Sequence, residues 1–128
     1  MAKQYEGFDV PFTAKDDMSS KQYYFVQVDG TTDDQVDVCS AITDVILGIT
    51  QTTGTTGAGV SVRVTGHSQL TMGESVNAGS LIGTDTSGRG VAITAGSDTT
   101  QYVAARCVKG ADTNELGEVV LTLGGRAA

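Results

Sequence analysis

Apolar and polar residues alternate with a period of two over most of this chain. The first clear instance is "YYFVQVDG" at 23–30, where Tyr24, Val26 and Val28 share one face and Tyr23, Phe25 and Gln27 the other. The Asp-Gly pair that closes it is a turn signal, so a strand is expected to end near Val28. "VSVRVTG" at 60–66 alternates Val60, Val62 and Val64 with Ser61, Arg63 and Thr65, the pattern of a strand with one wet face. Together with "VILGITQ" at 45–51 and the loop "TTGTTGAG" between them, it predicts a long hairpin. "HSQLTMG" and "GSLIGTD" predict two more short strands, and "GVAITAG" another. The stretch "DDQVDVCSAITDV" at 33–45 fits two periods: Val36, Cys39 and Ile42 or Thr43 fall on a helical stripe, while Val36 and Val38 alternate. A short strand and a helical turn are expected there.

The closing segment "QYVAARCVKGADTNELGEVVLTLGG" repeats an earlier arrangement: apolar strand, small-residue loop, Gly, alternating strand. Val119, Leu121 and Leu123 take the parts of Val60, Val62 and Val64, which suggests two similar hairpins in one barrel. Short strands with turn signals at such intervals predict an all-β fold, a small β-barrel or tulip-like sandwich of short antiparallel strands with at most one short helix. The first twenty residues read differently. They hold the chain's one proline, Pro11, and three spaced aromatics, Tyr5, Phe8 and Phe12, without a regular period. A disordered tail is usually poor in aromatics. Residues 1–20 are therefore expected to form an extended arm that docks on something, and residues 21–128 a single β-rich domain.

Composition agrees with this reading. The 128 residues suit one domain, and 17 glycines with abundant threonine suit turns and pleated surfaces. Fifteen acidic residues against eight basic ones give a formal net charge of −7, with no basic cluster, which disfavours nucleic acid and anionic membrane as partners. The N-terminus lacks a long apolar core and "VILGI" is far short of a span, so a soluble chain made in a cytoplasm is expected. Cys39 and Cys107 form no CxxC and have no histidine near them in sequence. They are expected to be buried thiols, a disulfide between them being the alternative.

Candidate chemistry is thin. "GTDTSGRG" at 83–90 has nearly the glycine spacing of a phosphate loop, but Arg89 stands where lysine is required, Gly90 where a hydroxyl would hold Mg²⁺, and a strand-like run follows in place of a helix. It reads as a turn, with Asp85 and Ser87 bonding the backbone and Gly88 free to take positive φ. His67 is the one histidine, so a histidine cage is impossible, and a triad would need it to recruit Ser68 or a distant nucleophile without an elbow motif. Neighbouring carboxylates at Asp16/Asp17 and Asp33/Asp34 point to opposite sides of an extended chain and lie in no calcium loop, so they read as solvated turn charges. No catalytic, cofactor or metal set is expected, and a binding or structural protein is.

The run from "YYFVQVDG" through "ILGIT" (46–50), "AGVSVRV" (58–64), "AGSLIGTDTSGRG" (78–90) and "GEVVLTL" (117–123) resembles the small capsid cement, or head decoration, proteins of tailed bacteriophages. The likeness rests on the order and spacing of glycine-and-valine patterns over residues 23–124. It implies a β-rich virion protein on the outer surface of an expanded capsid, often a homotrimer at local threefold positions, that locks neighbouring major capsid proteins and stabilises the head. It also implies an N-terminal arm that adds to a capsid-protein strand; in this chain Tyr5, Phe8, Val10, Pro11 and Phe12 would be its contacts. The stretch "DDQVDVCSAITD" departs from the family pattern. An alternative of another class is a small β-barrel carbohydrate-binding or adhesin module, although the body after residue 25 offers only Tyr102 as an aromatic.

Overall fold

The computed structural model describes residues 5–122, so Met1 to Gln4 of the expected arm and Leu123 of the expected repeat lie outside the described residues. Nine strands form one mixed sheet: β1 (Gly7–Ala14), β2 (Phe25–Val28), β3 (Gln35–Val38), β4 (Gly48–Thr50), β5 (Gly59–Thr71), β6 (Leu81–Thr84), β7 (Gly90–Ile93), β8 (Ala105–Lys109) and β9 (Leu116–Leu121). The class is all-β, as the alternation predicts. Hydrogen-bonded neighbours run β1-β3-β2-β4-β5-β9-β8-β6-β7, and β1 also pairs with β5, so five strands close into a ring. The β1–β3 ladder is parallel, while the other strand ladders are antiparallel.

Three expectations need correction. Residues 33–45 supply β3 and then tight turns, with no helix among the described residues, because Asp44 accepts the Ser40 and Ala41 N–H groups at 2.8 and 3.0 Å and folds the segment back on itself. "VSVRVTG" and "HSQLTMG" are one strand of 13 residues, not two. Gly66 is inside it at φ +105, a kink and not a terminus, and a bulge at Val64 steps the pairing from Phe8–Thr65 to Asp9–Arg63. The third concerns the arm. Residues 7–14 are extended, but their main chain pairs with β5 from Gly7–Gly66 to Thr13–Gly59 and with the start of β3, so this stretch is a wall of the ring and not an appendage to a domain starting at 21. Pro11 is tolerated because the N–H of Thr13, two residues on, points away from β5 to Asp34, so the Pro11 nitrogen faces the same side before β3 begins to pair.

The structure is a tandem duplication. From Gly66 onward β5 pairs with β9, and the Met72–Gly90 bridge with the Gly73 N–H on Gly90 C=O closes a second ring of β5, β7, β6, β8 and β9. The long strand ends one ring and begins the next. Equivalent positions lie 56–58 residues apart, as Val26 and Ile82 or Ala14 and Met72. Ala14 donates to Ala58 as Met72 does to Glu115, Gly57 to Ala14 as Asn114 to Met72, and Leu47 to Val26 as Ala104 to Ile82. Gly57 and Asn114 both have positive φ, at 85° and 65°. This makes Val119 the counterpart of Val62, since Thr50–Val62 and Cys107–Val119 are equivalent pairs. The repeat legible in the sequence is thus real but two residues out of register.

Each ring has its own core. Ala14, Met18, Val26, Val36, Val60 and Val62 fill the first. Leu70, Met72, Ile82, Cys107 and Val119 fill the second together with Phe25, Cys39 and Ile49, which reach it from the back of the first ring. Adjacent residues Phe25 and Val26 therefore serve different cores, because successive strand side chains point to opposite faces. At the junction Phe25 N–H donates to Gly88 C=O at 2.7 Å. The β6–β7 turn is locked there by Asp85, whose Oδ1 accepts from the Ser87 and Arg89 N–H groups at 2.8 Å each.

Candidate interaction surfaces

The five arm residues do not share a face. Tyr5 packs its ring 4.8 Å from that of His67, donates its hydroxyl to Glu118 at 3.1 Å, and has its carbonyl held by Arg63. Arg63 also grips both Asp9 carboxylate oxygens, at 2.7 and 3.2 Å, and the His67 carbonyl at 2.8 Å. Val10 is partly buried opposite Val62, and Phe12 lies against the first core. Pro11 and Phe8 face solvent, Phe8 with 63% of its surface exposed. Sequence spacing groups the aromatics; the bulge beside Phe8 and the turn at Gly66 send them to separate places.

The groups singled out for chemistry are also dispersed. "TDTSGRG" is a hairpin turn with Gly88 at φ +79, as its residues predict. His67 Nε2 is buried 3.4 Å from Glu118 Oε1, yet Ser68 sits on the opposite face of β5, where its hydroxyl contacts Gln51 and Gln69, so no serine–histidine pair forms. Glu118, 5% exposed, is a signal the sequence pattern missed: it sits on the outer face of β9 with Lys109 at 3.9 Å beside Tyr5 and His67. Cys39 and Cys107 are buried free thiols; burial pushes Cys39 up to about 12. No group of three or more His, Cys, Asp or Glu able to hold a metal occurs among the described residues.

What the surface does carry is an acidic, partly apolar end on the first ring. Val28, Ile42 and Val45 are exposed, and a groove of about 430 Å³ opens between Gln27–Val28 and Thr43–Leu47. Asp37 is pushed above its ordinary value of 3.8 by burial, with Asp16, Asp29 and Asp44 adding to the effect and Lys15 opposing it. Its Oδ1 is buried without a hydrogen bond. For Asp29, burial works upward, but bonds from Thr31 and the Lys15 ammonium outweigh it and leave the carboxyl below 3.8.

These directions give a signed prediction. An acid whose folded-state pKa is raised destabilises the fold when ionised, fully above that pKa, and the penalty fades as pH falls toward 3.8. Asp37→Asn is therefore expected to raise Tm at pH 7, with an advantage that shrinks on acidification. Thermal melts of both proteins across that range check it; a Tm lowered at pH 7 contradicts it.

No family model and no curated protein matches the chain. Its fold matches solved structures, among them the N base of head fiber gp8.5 of bacteriophage phi29, which is 17% identical and superposes at a TM-score of 0.69 over 90% of this chain and 93% of that one. At this identity the likeness is one of fold.

Proposed function

We propose that the protein is a structural part of a tailed-phage virion, bound to the outside of the head. The observation that carries this is the likeness of nearly the whole chain to the base of a phage head fiber. It is supported by the sequence resemblance to cement proteins, whose pieces fall on β4, β5, the β6–β7 hairpin and β9. Two rings sharing a strand, with separate cores, make a stiff body suited to bearing load between shell subunits and not to catalysis. The net charge of −7 favours the protein shell over the DNA inside it. In this reading the subunit cements neighbouring major capsid proteins, as a homotrimer at local threefold positions, and Phe8 and Pro11 are the arm residues left to face the shell.

Co-sedimentation with expanded heads lacking the protein tests the proposal. Saturable binding at a fixed ratio to capsid protein, with a rise in the temperature at which heads release DNA, is the expected result. Phe8→Asp leaves the β1 ladder intact and is expected to weaken binding roughly tenfold, as for an aromatic contact residue. Heads that take up no protein at saturating concentration would reject the reading.

A further inference from the structure

The duplication supplies a template for the acidic end of the first ring. In the second ring the equivalent end is covered: Thr84 is 1% exposed, Gly88 C=O accepts the Phe25 N–H, and Val38 fills the space beside Gly88. What covers it is a strand offering one free main-chain N–H between apolar side chains. In the first ring the place of Thr84 is held by Val28, as the pairs Val28–Val36 and Thr84–Gly90 correspond, and Val28 is 53% exposed. The β2–β4 ladder stops at Val26, so Gln27 and Val28 have no partner in β4 and border the groove instead.

We propose that this end is a docking surface for the strand edge of another protein, one carrying lysine or arginine beside apolar residues. Val28, Ile42 and Val45 give the apolar contact. Asp37, Asp44, Asp16 and Asp29 set the charge a partner must complement, and Asp37 Oδ1 is an acceptor that the chain itself leaves unused. The mode is strand addition, with main-chain bonds for affinity and side chains for choice of partner. A second copy does not fit in the template geometry. Its Leu81, counterpart of Phe25, is already paired with both Arg106 and Ile93, and Asp34, at the place of Gly88, brings a side chain and a charge where the junction admits neither. That the partner is a shell subunit rests on the function proposed above; the surface itself does not.

The test uses isotope-labelled full-length protein and two synthetic peptides, one alternating lysine and valine, the other glutamate and valine. Saturable NMR shifts at Gln27, Val28, Asp37 and Val45 with the lysine peptide alone are expected, abolished by Val28→Asp with Val45→Asp. These side chains are exposed, so the double variant keeps its fold. Asp37→Asn is expected to weaken binding roughly 3- to 10-fold at low salt while raising Tm, a split that a purely structural role would not produce. Shifts that are absent, that map elsewhere, or that appear on self-association in place of peptide binding overturn the proposal. Heads that bind the double variant as well as wild type overturn it too and leave the head-protein reading standing. Heads that refuse wild type while the peptide result holds reject that reading and keep the surface.

Discussion

Gly66→Ala is expected to destabilise the protein by about 2–4 kcal/mol. Gly66 sits at φ +105, where an L side chain is strained, and a Cβ there would collide with Glu6 C=O and Gly7 Cα, backbone atoms that cannot rotate away. Relief requires the start of β1 to lift from β5, which also loosens the Arg63 contacts with Tyr5 and Asp9. Against a total stability of roughly 5–15 kcal/mol this is a large share. Urea unfolding measures it, with Gly59→Ala as the comparison. Gly59 lies on the same strand with nothing within 4 Å of its would-be Cβ and no positive φ, so its change should stay within about 0.5 kcal/mol. Equal losses in the two variants would mean that Gly66 is not the pivot between the rings.

Gly88→Val is expected to separate the two rings at their junction, at a cost of about 3 kcal/mol or more. The backbone is at φ +79, and the new side chain would meet Val38 Cγ1 and Phe25 C=O. Displacing the turn also leaves the Phe25 N–H, buried between the cores, without its acceptor. Two readouts localise the damage: the Phe25 amide should lose protection from hydrogen exchange, and the Cys39 thiol, held up to about 12 by burial, should begin to react with a disulfide reagent near neutral pH. Gly96→Ala separates strain from collision. Its φ is +84 but nothing lies within 4 Å, so it should lose about 1 kcal/mol and leave Cys39 unreactive. A Gly88 variant that behaves like Gly96→Ala would show that the junction tolerates a side chain.

The sequence by itself determined the strands and several turns, because these rest on local chemistry. The alternation at 60–66, the Asp85 and Gly88 turn, and the runs at 81–84 and 90–93 appear where the residues place them. The absence of a catalytic cluster followed from composition, since one histidine and scattered acids leave little to assemble. Tertiary structure decided the rest. Gly66 ends a strand by local rules, yet here its positive φ carries one strand from ring to ring, since what it makes possible is an approach by Glu6 and Gly7 from 60 residues away. The aromatics of 5–12 look like one set, but pairing with β5 and the bulge beside Phe8 bury two and expose one. The acidic end was least legible: Val28 reads as core by its parity with Val26, and only the missing neighbour, supplied to Thr84 by the first ring and to Val28 by nothing within the chain, leaves it on the surface. A residue's period tells which face it takes; what lies against that face is set by chain brought from elsewhere.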